Sequence, residues 1–229
     1  MTSIDPLTSK GRFHEDIGMW VRAPGSPLAS PRPALFLDRD GVIVEDPGYL
    51  CRPADVILIP GAAEIISLAN RWAIPVIEVT NQAGIGRGYY GWQQFLEVED
   101  ALAGELARAG AVIDAAFACP YHRDGVAPWV HPAHPARKPG PGMLLAARRF
   151  LNIDLGNSWI VGDKHGDLLA GYHAGLSGGL HVLTGHGAEH RQAALTWRPA
   201  KFEVRIGDSI RDAAGLLDSL TPSRGREGR

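Results

Sequence analysis

The chain has 229 residues, 45% of them apolar and 21% charged, with a formal net charge of −2. This predicts one soluble domain whose core needs no metal or disulfide scaffold, and it removes any broad electrostatic reason to bind nucleic acid or an anionic membrane. No apolar run reaches the roughly 18 residues that span a bilayer, the first thirty residues carry charges and prolines rather than an export signal, and two cysteines, Cys51 and Cys119, fit a reducing cytoplasm.

Glycine and proline are in surplus, 28 and 17 residues, about a fifth of the chain against a usual ~12%. Residues 1–33 lack sustained periodicity and run through Pro24, Pro27, Pro31 and Pro33, which reads as an N-terminal extension packing on the domain through Phe13, Met19 and Trp20. The domain itself is expected over residues 34–220, with a flexible tail over 221–229. Short apolar runs predict buried strands at Ala34–Leu37, Val76–Val79, Val112–Ala118, Ser158–Val161 and Leu180–Leu183. Helical spacing marks 61–72 through Ile65, Leu68 and Trp72, and 92–109 through Phe95, Leu102, Leu106 and Ala109. A helix over 141–151 carries Pro141 in its first turn, where the missing N–H costs nothing, and another over 208–218 can be capped by Asp208 or Ser209. Alternation of this kind predicts an α/β fold, a three-layer doubly wound parallel sheet, whose ligands bind beyond the carboxyl ends of the strands.

The chemistry-bearing residues fall at those ends. The first strand runs into Asp38-Arg39-Asp40-Gly41, two carboxylates projecting to one side of a turn that Gly41 allows. The second ends in Thr80-Asn81-Gln82 followed by Gly84, Gly86, Arg87 and Gly88, a hydroxyl, an amide and free backbone N–H groups suited to a phosphate. Arg137-Lys138-Pro139-Gly140 aims two cations and a helix N-terminus at one point, and Gly162-Asp163-Lys164 with Asp167 supplies more carboxylate at a later strand end. Taken singly, these are a polar turn, a glycine-rich connection, a solvated basic loop and a helix cap. Together they concentrate three carboxylates, two or three cations and a hydroxyl at successive strand ends.

In that order the four segments resemble the motifs of the haloacid dehalogenase (HAD) superfamily of phosphohydrolases, over roughly residues 34–220. Asp46-Pro-Gly-Tyr49, Thr80-Asn-Gln-Ala-Gly-Ile-Gly-Arg-Gly-Tyr-Tyr90, Arg137-Lys-Pro-Gly-Pro-Gly-Met143 and Gly162-Asp-Lys164 resemble, more narrowly, the heptose bisphosphate phosphatases, which are grouped with the histidinol-phosphate phosphatases. The resemblance implies Asp38 as the nucleophile forming an aspartyl-phosphate and Asp40 as general acid and then base. It implies Mg²⁺ held by Asp38, the backbone carbonyl of Asp40 and Asp163, with Thr80 and Lys138 stabilising the transferred oxygens. Arg137 and Lys164 are candidates for substrate recognition or for holding acids in place, and Asp167 orients Lys164 or caps a helix. The spacing between motifs leaves no room for an inserted cap domain, so a small polar phosphorylated substrate is expected in an open site. Its expected readers are Asp46, Tyr49, Asn81, Gln82 and Arg87, while Tyr89, Tyr90 and Trp92 are expected to pack the following helix.

One segment departs from the pattern. Heptose phosphatases of this type often carry a structural zinc loop, Cys-x-His followed by Cys-x-Cys, but here the sequence reads Cys119-Pro-Tyr-His122 and His131-Pro-Ala-His134-Pro-Ala136. Either Cys119, His122, His131 and His134 form an unusual zinc set, or the loop is stiffened by proline and its histidines are merely polar. No role is expected for His165, His173, His181, His186 or His190. The substrate panel implied by the resemblance is heptose 1,7-bisphosphate, histidinol phosphate and a 3′-phosphorylated polynucleotide, the last disfavoured by the mild acidity. A binding protein that has retired the chemistry is the alternative outside enzymes. A monomer is expected, with neither nucleic acid nor membrane as partner.

Overall fold

The computed structural model describes residues 11–221. Eight strands form one sheet in the order β1-β2-β5-β4-β3-β6-β7-β8. The parallel part comprises β3 (Leu35–Leu37), β4 (Val76–Asn81), β5 (Ala115–Cys119), β6 (Trp159–Gly162), β7 (Gly178–His181) and β8 (Glu203–Ile206). The chain steps from β3 outward to β4 and β5, then returns to the other side of β3 for β6, β7 and β8, so the reversal of strand order falls beside β3. Open α/β sheets bind their ligands at such a reversal.

Among the described residues seven α-helices accompany the sheet, and side-chain alternation along the strands decides which face each one covers. Leu35 and Leu37 share a core with α1 (Ala62–Arg71), α3 (Trp92–Arg108) and α7 (Ala214–Leu220), whereas Phe36, Ile77 and Val79 point the other way against α4 (Gly142–Leu151), α5 (His165–Ala174) and α6 (Gly187–Thr196). The remaining helix, α2 (Ala83–Gly86), is a single turn after β4. Three layers result, and among the described residues no separate domain stands over the strand ends. No helix of the described residues is long and apolar enough to cross a membrane.

Residues 11–33, expected as an extension, instead contribute to the sheet. β1 (Arg12–His14) and β2 (Met19–Arg22) form a hairpin whose second strand runs antiparallel along β5, Trp20 opposite Ala118 and Arg22 opposite Ala116. Its alternation is that of a strand buried on both faces: Met19 and Val21 enter one core while Trp20 packs at 5.1 Å on Phe95. The strands are 3 and 4 residues long, too short to show a period by themselves. The first ten residues, and the expected tail beyond residue 221, lie outside the described residues.

Candidate active site

Adjacent strands deliver the site. β4, β3 and β6 lie side by side, and their carboxyl ends carry Thr80, Asp38 and Asp163. Asp38 continues the ladder of β3, its N–H bonded to the carbonyl of Val161 at 3.0 Å. Its carboxylate accepts from the N–H of Arg39 at 2.8 Å and from Lys138 Nζ at 2.8 Å. Lys138 Nζ also meets Asp167 Oδ1 at 2.7 Å and the Val79 carbonyl at 2.8 Å, so all three ammonium protons have an acceptor. Burial alone would discharge Lys138, but the two carboxylates outweigh it and raise its pKa.

Asp163 is fully buried. Its Oδ2 accepts from the N–H of His186 at 2.8 Å, while Oδ1 has no hydrogen-bond partner. Burial first, then the charges of Asp38 and Asp167, push its pKa up to about 7. Acceptor atoms of Asp38, Asp163 and Asp167 lie within 4.8 Å of one another. An orphaned buried carboxylate oxygen beside a second carboxylate is the donor set of a hard divalent cation, and Asp38 and Asp163 therefore fit Mg²⁺. Asp167 fits less well, since Lys138 takes one of its oxygens and the N–H of Lys164, at the start of α5, takes the other at 2.9 Å. Two glycines in left-handed backbone close over Asp163: a Cβ on Gly41 (φ +87) or on Gly185 (φ +57) would stand 2.5 Å from its Oδ2.

Asp40 sits apart from this cluster. Arg39 grips its carboxylate through Nε at 3.1 Å and through Nη2 at 3.0 Å to each oxygen. Gln82 Nε2 approaches from the opposite element at 3.2 Å. Burial pushes Asp40 above the usual carboxylate range and Arg39 pulls it back.

These groups floor a cleft of about 410 Å³, and the structure sorts the expected readers into two sets. Tyr49, Arg87, Arg137 and Lys164 line its walls. Arg87 donates to Tyr49 Oη at 3.2 Å and lies 3.3 Å from His122, and Arg137 donates to the Tyr121 carbonyl at 3.1 Å. Among the described residues no carboxylate lies within ion-pair reach of Arg137. Asp46 is on the wall too, but its carboxylate is shared by Lys164 at 3.6 Å and His186 at 3.3 Å.

Asn81 and Gln82 form the second set: they also line the cleft, but their amides bond within the protein. Asn81 spends both ends of its amide on the backbone of Lys138, each at 3.0 Å. Gln82 is buried: its nitrogen serves Thr80 Oγ1 at 2.8 Å as well as Asp40, and its oxygen accepts from Tyr90 Oη at 2.5 Å. Amides so occupied hold the Lys138 backbone, Thr80 and Asp40 in place. Tyr90 donates to Gln82 and also packs as expected, in a buried cluster with Phe95 of α3, whereas Tyr89 is 59% exposed, set edge-on to Tyr49 at 4.7 Å rather than packed on α3. Trp92 does pack there, against Phe95 at 5.5 Å.

Sequence reading missed His122, His186 and His190 as cleft-lining residues. The signal for His186 was its place in the loop after β7, a strand end like the others.

The zinc set does not assemble. Cys119 Sγ and His134 Nδ1 are 4.0 Å apart, but no three of Cys119, His122, His131 and His134 bring donors together as the carboxylates do. The Nδ1 atoms of His122, His131 and His134 instead accept from backbone N–H groups two residues on, at 3.0–3.1 Å. His134 stacks on Tyr121 at 4.0 Å, Tyr121 packs against Trp129, and Trp129 meets Phe13 of β1 at 5.0 Å. Aromatic packing and the N-terminal hairpin hold this loop. The residues present do not fit a zinc ion.

A HAD-hydrolase-like family model matches residues 135–213. D-glycero-β-D-manno-heptose-1,7-bisphosphate 7-phosphatase of Mesorhizobium japonicum is 44% identical over 194 residues, covering 84% of this chain and 88% of that protein. The enzyme of that name from Escherichia coli is 35% identical over 158 residues, 69% of this chain and 83% of its own. Among solved structures, a HAD-like phosphatase from Mesorhizobium loti aligns with a TM-score of 0.79 at 39% identity, over 98% of this chain and 99% of its own. D,D-heptose 1,7-bisphosphate phosphatase from B. bronchiseptica, in complex with magnesium and phosphate, aligns with a TM-score of 0.69 at 31% identity, over 81% and 98%. The chain is therefore a phosphatase and belongs to the HAD-like hydrolases, within the family of the D-glycero-D-manno-heptose-1,7-bisphosphate 7-phosphatases.

Proposed function

We propose that this protein is a Mg²⁺-dependent phosphomonoesterase that removes the 7-phosphate of D-glycero-D-manno-heptose 1,7-bisphosphate through an aspartyl-phosphate on Asp38. One observation carries the bisphosphate reading. Of the cations that line the cleft, Lys138 stands on the floor between two carboxylates, Arg87 and Lys164 have carboxylate neighbours, and Arg137 stands on the wall with no carboxylate in ion-pair reach among the described residues. Lys138 neutralises a phosphoryl group beside the nucleophile, and Arg137 is available to an anion at the other end of a sugar.

The residues divide the chemistry as follows. An oxygen of Asp38 attacks phosphorus as the bond from phosphorus to the sugar oxygen breaks. Asp40, protonated, gives its proton to that departing oxygen. A water then attacks the phosphorus and loses a proton to Asp40, the Asp38–phosphorus bond breaks, and phosphate leaves with Asp38 again a carboxylate and Asp40 again protonated. Lys138 and Thr80 face the charge on the transferred oxygens, and Asn81 fixes the backbone that presents Lys138. Asp38, Asp163 and the backbone carbonyl of Asp40 would hold the Mg²⁺. When bound, the ion offsets the repulsion between an anionic nucleophile and an anionic phosphate.

The test is phosphate release from heptose 1,7-bisphosphate, histidinol phosphate and a 3′-phosphorylated oligonucleotide, each with Mg²⁺ and with chelator. The heptose substrate is expected to dominate, the chelator to abolish turnover, and Asp38→Asn to lower kcat by about a thousandfold or more. Preference for either rival substrate overturns the specificity. Retained activity in Asp38→Asn overturns the nucleophile.

A further inference from the structure

The proton-transfer group of this site is anchored through the core rather than from the cleft. The Arg39 side chain that grips Asp40 is fully buried. From behind, its Nη1 lies 3.1 Å from Glu99 Oε1, and its guanidinium stands 5.5 Å over the ring of Phe95, one turn earlier on α3. Glu99 Oε2 is 3.6 Å from Arg22 on β2, so a line of alternating charge runs from the N-terminal hairpin to the cleft: Arg22, Glu99, Arg39, Asp40. Glu78 of β4 faces the same network. Burial and the neighbouring Glu99 push its carboxyl well above the usual range. A second arm reaches Asp40 from the other side through Gln82, itself held by Tyr90.

We propose that Glu99 is a positioning residue for Asp40, acting through Arg39, with Gln82 and Tyr90 as an independent second arm. The proposal rests on the reading of Asp40 as the general acid and base. The physical reason is competition. A phosphate dianion entering the cleft attracts every cation near it, and a guanidinium on a flexible stem paired only with Asp40 could turn toward it. Glu99 supplies a buried counter-charge that the phosphate cannot reach, and the Phe95 ring restricts the guanidinium plane. Arg39 therefore stays on Asp40 while substrate binds, and Asp40 stays aimed at the departing oxygen. Proton transfer depends on this aim far more than binding does.

The experiment is a double-mutant cycle on heptose 1,7-bisphosphate, read as single-turnover phosphoryl transfer in the wild-type chain, Glu99→Gln, Asp40→Asn and the double variant. Glu99→Gln is expected to lower kcat by about ten- to hundredfold with KM held within about threefold. In the Asp40→Asn background the same substitution should cost less than about twofold, because a group acting through Asp40 has nothing left to position. Additive losses, or unchanged kcat in Glu99→Gln, overturn the proposal. Near-wild-type activity in Asp40→Asn overturns the general-acid reading instead, so the two failures are distinct. If Glu99→Gln does not fold, Tyr90→Phe, which deletes one hydroxyl from the second arm, enters the same cycle with an expected loss of about fivefold, and additivity there is equally decisive.

Discussion

The floor and the rim of the cleft are built on opposite principles. On the floor the cations are buried and committed: Lys138 to Asp38 and Asp167, Arg39 to Asp40 and Glu99. On the rim the charges are held loosely, by a tyrosine hydroxyl at Arg87 and a backbone carbonyl at Arg137, and Tyr49 and Tyr89 stand 41% and 59% exposed. Commitment on the floor places reacting groups before substrate arrives, which phosphoryl transfer needs. Loose partners on the rim leave hydrogen-bonding capacity for a sugar and its second phosphate.

If that division holds, substitutions on the floor should damage rate and stability together, while those on the rim should damage affinity alone. Lys138→Met leaves two buried carboxylates without their cation. It should abolish turnover and lower unfolding free energy by about 3–5 kcal/mol, measured by denaturant titration. A stable Lys138→Met chain would break the comparison at the floor. Arg137→Ala should raise KM for the bisphosphate by about tenfold at nearly unchanged kcat, and raise KM for a heptose monophosphate much less, in steady-state assays with both substrates. A fall in kcat there would move Arg137 to the floor. Tyr49→Phe removes one partner of Arg87, which keeps His122 and Asp124, and should raise KM by about two- to threefold.

The opposite end of the sheet is the control. Asp114 accepts from the N–H of Val76 at 2.8 Å, and burial raises its pKa to about 6. The folded state therefore holds this proton more tightly than the unfolded chain, and stability must fall as pH rises from about 4 to about 6. Asp114→Asn keeps the acceptor and removes the charge. It should flatten that slope, gaining about 1–2 kcal/mol above pH 6 after allowance for partial exposure, with kcat/KM untouched. A kinetic change would show that the two ends of the sheet are coupled.

What the sequence revealed follows the same division. Asp38, Asp40, Thr80, Lys138 and Asp163 were legible because strand ends are where α/β sheets hold ligands, and runs such as Ala34–Leu37 announce the strand before them. The engagements of Asn81 and Gln82 were not, because sequence gives an amide's donors and acceptors but not the direction they face. Both turn inward, to Lys138 and to Asp40. Helix α5 was missed for a different reason: it buries Leu168, Ala170 and Gly171 without an apolar stripe, so helical periodicity has nothing to report. Strand β8 alternates charged and apolar residues, but over only four mostly exposed positions, too short a run to announce a strand. The 119–136 loop kept four residues able to bind metal, Cys119, His122, His131 and His134, while the structure turned the three histidines to backbone N–H groups and aromatic rings.

The hairpin at residues 12–22 has one more consequence, for solubility. Without β2, the apolar strand Ala115–Cys119 would be an open edge, five residues of unpaired N–H and C=O groups ready to template another chain. With it, the sheet ends instead at β1, a strand of three residues, and on the far side at β8, which carries Glu203 and Arg205. A very short strand and a charged one are both poor templates. The hairpin thus guards the fold against self-association at the edge where its own sequence would most invite it.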